Sequence, residues 1–302
     1  MPKQTKMQTM LLILFLVIVW GVNWPLSKIA LSYMPPVLFS GARTLLGGIL
    51  LLAIAIPRYK RLQFKKTWKI YLISAAVNVI LYYGLQTIGL KYLPAGLFSA
   101  IVFLQPVLVG LFSWMWLGEA MNGLKITGLV LGFTGVGIIC SGAGGLSGHI
   151  SAAGILLALG SALSWALGTI YVKKTGPRVD PIWLVTLQLL IGGLFMTLLG
   201  SSFESWSEVI WAPIFIFSLI FISIFVIAVG WLVFYKLMDS GEASKVASFT
   251  FLIPLVAILT GTLFLNEPFT FSLLIGLVFI LLSIYFVNRQ PSRGRHRAQD
   301  RA

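Results

Sequence analysis

Apolar residues run in ten long blocks, at roughly 9–31, 36–56, 70–90, 94–117, 123–142, 152–172, 181–200, 212–236, 243–265 and 270–288. Each approaches the ~20 residues a helix needs to cross a bilayer. Between them fall Met34-Pro35-Pro36, a basic run from Pro57 to Lys69, Gly144-Gly145 and Gly176-Pro177. The blocks do not alternate as barrel strands would, and a helix satisfies its own backbone groups in lipid. The pattern therefore predicts an all-α membrane protein with ten transmembrane helices. The first block follows MPKQTK as a secretory signal would. It continues past ~20 residues without a small-residue cleavage site, so it reads as a retained span.

Composition narrows the class. Of 302 residues, 58% are hydrophobic and 10% charged, against about 25% charged in soluble domains. That excludes soluble enzymes, disulfide scaffolds and disordered chains. Cys140 is the single cysteine, and His149 and His296 fall in a loop and in the tail. No disulfide, metal site or other cofactor is expected. The net charge of +14 is uneven along the chain. With the N-terminus in the cytoplasm, 19 cations fall inside, Lys91 alone falls outside, and Lys28 and Arg43 lie within spans. The positive-inside rule then places both termini on the cytoplasmic side of a cell membrane. The basic tail at 289–302 is explained by topology and lipid headgroups, with no nucleic-acid partner.

The second half repeats the first. At an offset of 145, Trp20 meets Trp165, Lys28 meets Lys173, Pro36 meets Pro181, and Gly47-Gly48 meets Gly192-Gly193. At 148, Phe103-Leu104-Gln105-Pro106 meets Phe251-Leu252-Ile253-Pro254, Glu119 meets Glu267, and Gly128-Leu129-Val130 meets Gly276-Leu277-Val278. Two five-helix repeats follow, 1–142 and 152–288. Because five is odd, they are inverted, as in secondary transporters whose substrate site lies at the repeat interface. Pro106 and Pro254 fall near the middle of spans four and nine, where each frees a carbonyl four residues back, at Val102 and Thr250. These kinks either frame a site or serve packing alone.

Four short motifs carry a resemblance: Trp-Gly-Val-Asn-Trp-Pro at 20–25, Phe-Leu-Gln-Pro at 103–106, Trp-Leu-Gly-Glu at 116–119 and Leu-Asn-Glu-Pro at 265–268. The chain resembles the EamA-type transporters of the drug/metabolite transporter superfamily over roughly residues 10–288. The resemblance implies a ten-helix exporter or exchanger with a central cavity lined mainly by spans 1, 3, 4, 6, 8 and 9. Spans 5 and 10 would be scaffold or dimer-contact helices, in a monomer or homodimer.

Polar and aromatic groups inside spans usually face protein rather than lipid. Trp20, Asn23, Trp24 and Ser27 share one stripe of span one, and Asn78, Tyr82 and Gln86 recur every four residues in span three. Ser99 and Gln105 in span four, Trp165 and Thr169 in span six, and Ser244, Ser248 and Phe251 in span nine complete the candidate lining. Converging, they would form a mostly aromatic small-molecule pocket. The alternatives are interfacial anchoring for the tryptophans and helix–helix bonding for Asn78 and Gln86. Gly128 and Gly132 form a small-residue packing face.

Charged groups are the remaining candidates for gating. Lys28 either serves the cavity or snorkels to water. Arg43 either pairs with loop carbonyls or attracts an anionic group. Glu119 and Glu267 either cap the helix that follows or serve as gate or proton sites. No carboxylate falls at mid-span, so exchange or facilitated efflux is expected rather than carboxylate-driven proton antiport. The leading function is export or exchange of small metabolites, amino acids among them, across the cytoplasmic membrane by alternating access, with membrane lipid as the other partner. Organic-cation efflux is the alternative, since aromatic faces suit cations. A channel would need a charge ring or filter motif. A membrane enzyme would need a catalytic cluster.

Overall fold

A computed structural model describes residues 6–118, 121–142, 151–239 and 252–288. Helices fill this chain, and no strand occurs among the described residues. The first are α1 (Lys6–Ala30), α2 (Pro36–Ala55), α3 (Phe64–Ala75), α4 (Tyr82–Leu90), α5 (Ala95–Val102) and α6 (Gln105–Leu117). After them come α7 (Gly123–Gly142), α8 (Ala152–Thr175), α9 (Pro181–Phe203), α10 (Pro213–Phe221) and α11 (Gly230–Asp239). Then follow α12 (Leu252–Leu265) and α13 (Phe271–Asn288). Among the described residues, seven continuous helical stretches are long and apolar enough to cross a membrane, and Gly123–Ile138, Leu252–Leu265 and Phe271–Val287 are shorter apolar helices.

Two stretches depart from the periodicity in the sequence. A π-helical segment, Ala76–Leu81, joins α3 to α4, and another, Ile222–Val229, joins α10 to α11. Their first residues stand 146 positions apart, close to the repeat offset. A π turn pairs i with i+5, so it adds a residue per turn and rotates the helix face beyond it. The helix through α3 also begins at Phe64, six residues earlier than the apolar block predicts. Its first turns carry Lys65, Lys66 and Lys69, exposed cations that lower hydropathy without preventing helix formation.

Glycines let the helices approach closely. Helix α2 packs along α9, and α7 along α13. A Cβ on Gly41 would stand 2.5 Å from the Thr197 backbone nitrogen, and one on Gly193 would stand 2.5 Å from that of Leu45. Only hydrogen fits there. At the second interface a Cβ on Gly128 would lie 2.8 Å from the Ser283 carbonyl, and one on Gly132 would lie 2.7 Å from the Ser283 hydroxyl. The small face expected on span five is thus a packing seam.

The two ends of the bundle close differently. The basic end holds the 3₁₀ turn Ile56–Arg61, where Arg61 approaches Asp180 at 3.6 Å and the Arg58 carbonyl accepts from the Trp183 indole at 3.0 Å. At the opposite end, two carboxylates cap helices far away in sequence. Glu204 accepts from the backbone of Val37 and Leu38 at 3.0 and 2.8 Å. Glu267 accepts from Ala95 and Gly96 at 2.5 and 3.1 Å. Helices α2 and α5 begin after Pro35 and Pro94 without a side-chain cap of their own, so their free N–H groups take these carboxylates. Glu267 therefore caps α5 and not the helix after it, whose Leu273 donates to Thr270 Oγ1 at 3.2 Å. Asn266 (φ 52°) turns the chain to present Glu267, and Gly118 (φ 68°) stands 148 residues before it in the same left-handed conformation.

Candidate functional site

A cleft with an empty volume of about 440 Å³, its mouth included, opens where α1, α2, α4, α8 and the second π segment meet. Helix α1 contributes Trp20, Asn23 and Trp24, and α4 contributes Tyr82 and Tyr83 just beyond the first π segment. Trp165 of α8 stacks on Tyr82 at 5.1 Å and meets Phe103 edge-on at 5.9 Å. Phe103 lies in the break between α5 and α6. On the far side, Val226 and Ile227 of the second π segment and Trp231 of α11 complete the wall. Trp20 lies 5.8 Å from Trp231, and its indole donates to the Val226 carbonyl at 3.2 Å.

Arg43 of α2 lines this cleft, although it is only 1% exposed. Nη1 donates to Ser27 Oγ at 3.1 Å and Nη2 to Gln86 Oε1 at 3.0 Å. The guanidinium carbon also lies 5.2 Å from the Phe39 ring centre and 4.9 Å from that of Tyr83, within cation–π range. Arg43 Nε has no hydrogen-bond partner. Ser27 passes the chain on, donating to Asn23 Oδ1 at 3.2 Å. The partners of Arg43 are therefore neutral side chains and rings, not loop carbonyls.

The other sequence candidates divide. Ser27 and Gln86 hold Arg43 in place. Asn78 turns away from the cleft: Nδ2 donates to Ser74 Oγ at 3.2 Å, and Ser74 donates to Gln188 Oε1 at 2.5 Å. Its Oδ1 presses on α8, where a Cβ on Gly168 would lie 1.9 Å away. The π segment explains why Asn78 does not share the face of Tyr82 and Gln86, which follow it in the regular helix α4. Ser99 donates to the Gly96 carbonyl of its own helix at 2.9 Å. Gln105 donates to Thr169 Oγ1 at 3.0 Å, tying α6 to α8 outside the cleft lining.

Lys28 donates to the Leu93 carbonyl, so its ammonium is held at the end of the bundle where Glu267 caps α5. Pro106 sits in the first turn of α6, following the break at Phe103-Leu104. It starts a new helix where the sequence predicted a kink in a continuous one, which suits a residue without an N–H. Pro254 is buried near the start of α12. Glu119, Ser244, Ser248, Thr250 and Phe251 lie outside the described residues, as does the basic tail.

Tyr83, Val226, Ile227 and Trp231 line the cleft without having been singled out in the sequence, and Phe103 lines it although it had been noted only as part of a motif. The repeat carried a signal for one pair. Tyr83 and Trp231 stand 148 residues apart, and Trp231 Nε1 meets Tyr83 Oη at 3.3 Å.

Comparison with known proteins gives four findings. The sequence model of the EamA-like transporter family matches residues 7–141 and again 152–289. The protein called Uncharacterized transporter YvbV, of Bacillus subtilis (strain 168), is 62% identical over 288 residues, covering 95% of this chain and 94% of its own. A protein of Escherichia coli (strain K12) called Probable amino-acid metabolite efflux pump is 28% identical over 296 residues, with coverage of 91% and 92%. Among solved structures, one crystal structure of a protein superposes with a TM-score of 0.66 at 18% identity, covering 93% of this chain and 96% of that one. This last likeness concerns the fold.

Proposed function

Because the chain belongs to the EamA-like transporter family, a family of multi-pass membrane transporters and not of enzymes, we propose that it is a secondary transporter exporting or exchanging small metabolites across the cell membrane. Ten spans in two inverted five-helix repeats rock about the aromatic cleft, which serves as the substrate site. The observation that carries this reading is the cleft itself, lined from residues 20–103 on one side and 165–231 on the other. The family model matches twice within one chain. The second π segment lines the cleft and the first ends directly before Tyr82, at corresponding positions of the two halves, where a shift between two packings can be absorbed. The name of the Escherichia coli relative supports amino acids or their metabolites as cargo.

Organic-cation efflux fits this lining less well. A buried cation that lines the cleft repels a second positive charge across a low-dielectric space. The proposed topology places both termini in the cytoplasm, following the 19-to-1 cation asymmetry.

Counterflow in proteoliposomes tests the transport reading. Liposomes preloaded with an unlabelled amino acid or carboxylate metabolite should transiently accumulate its labelled form, and the initial rate should saturate. Flux that rises linearly with concentration and shows no counterflow would identify a channel instead. Absence of protein-dependent flux across a broad metabolite panel would reject transport.

A further inference from the structure

Building on the transport reading, we infer that the cleft binds its substrate as a monovalent carboxylate attached to a flat or apolar body, with the carboxylate held by Arg43 and Asn23. The buried guanidinium is an incomplete site. Its five N–H donors meet one oxygen from Ser27 and one from Gln86, and Nε meets none. Among the described residues the ion pair present is Arg61–Asp180 at the basic end. Asp180 there also caps α9, while Glu204 and Glu267 cap α2 and α5 at the other end. None reaches the cleft. An interior cation with neutral partners alone is costly, and a carboxylate would offset that cost.

The polar chain leading from Arg43 has a direction. Arg43 donates to Ser27, and Ser27 donates to the Asn23 carbonyl oxygen. The Asn23 amide NH₂ is therefore the outward end of the chain, and Asn23 lines the cleft. Both ends of the network present donors, so a ligand group there must accept. A carboxylate accepts through both oxygens and neutralises the guanidinium. Among the described residues the site supplies a single cation, because Lys28 is held by the Leu93 carbonyl; this favours one negative charge over two. Trp20, Trp24, Tyr82, Trp165 and Trp231 offer flat apolar faces around it. Among the described residues no carboxylate lines the cleft, so an α-ammonium gains no ionic partner there and is dispensable.

Four probes sharing one phenyl body separate these requirements: 3-phenylpropanoate, phenylalanine, phenethylamine and 3-phenylpropanol. Thermal unfolding of the purified full chain, with counterflow for each probe that stabilises it, gives the ranking. The acid should raise the melting temperature most, phenylalanine no more than the acid, and the amine and alcohol negligibly. Arg43→Gln should weaken acid binding by about tenfold or more, the loss of a charge-assisted hydrogen bond. Arg43→Lys should retain part of it, since it keeps the charge without the fork. Stabilisation by the amine or alcohol equal to that by the acid would overturn the carboxylate inference and leave transport intact. So would acid binding unchanged in Arg43→Gln. If Arg43→Gln does not fold, the wild-type ranking decides alone. If none of the four binds while other metabolites show counterflow, the inference fails by itself; transport fails only when nothing exchanges.

Discussion

Removing the Glu267 carboxylate should destabilise the protein through a helix that lies 171 residues away in sequence. Glu267 accepts two backbone N–H bonds from α5, at 2.5 and 3.1 Å, and Pro94 supplies no alternative cap. A buried donor left unsatisfied costs about 1–3 kcal/mol. Loss of the negative charge at a helix N-terminus adds about 0.3–1 kcal/mol. Allowing for relaxation, Glu267→Ala should cost about 2–4 kcal/mol. At about 3 °C per kcal/mol that lowers the melting temperature by about 6–12 °C. Glu267→Gln keeps one acceptor oxygen and should lose about half as much. Glu204→Ala should behave like Glu267→Ala, because its carboxylate performs the same task on Val37 and Leu38. Glu208→Ala, an exposed site in the neighbouring loop, is the control, with a change within about 0.5 kcal/mol. The assay is thermal unfolding in detergent, paired with counterflow. A Glu267→Gln protein that melts like wild type but loses pH-driven uptake would refute the cap and identify a proton site.

Three further predictions follow from packing, capping and polarity. Gly168→Ala places a Cβ 1.9 Å from Asn78 Oδ1 and should cost about 1–3 kcal/mol; adding Asn78→Ala should recover part of the melting temperature, whereas strict additivity would deny the contact. Asp180→Ala removes acceptors for Ile182 and Trp183 and should cost about 1 kcal/mol. Arg61→Ala should cost well below that in the same melt, because Arg61 is 69% exposed.

The long helices were legible because lipid demands long apolar runs, and the Gly128–Gly132 seam because close packing demands small residues. The stripe of α1 was equally clear. Trp20, Asn23 and Trp24 line the cleft and Ser27 anchors Arg43, since regular helix geometry holds across those residues. Span three misled for a stated reason: the π segment shifts the helix face between Asn78 and Gln86. Asn78 consequently braces α8, Tyr82 faces the cleft and Gln86 fixes Arg43. Glu267 was ambiguous because its partners lie at least 171 residues away, and local sequence carries no record of such distant caps, that of Glu204 on α2 included. The neutral surroundings of Arg43 were hidden for the same reason. Ser27 and Gln86 come from different helices, and only folding brings them together.

Counterflow of 3-phenylpropanoate by Trp165→Ala, measured against wild type and Trp211→Ala, tests the cleft as the transport site most directly. Trp165 forms the cleft wall against Tyr82 and Phe103, whereas Trp211 is 60% exposed and lies outside the lining. Losing a stacking face of ~1–1.5 kcal/mol or more, together with the buried area it covers, should raise the half-saturation concentration by about tenfold. Trp211→Ala should exchange as wild type does. Equal exchange by Trp165→Ala and Trp211→Ala, at equal amounts of folded protein, would show that substrate passes elsewhere.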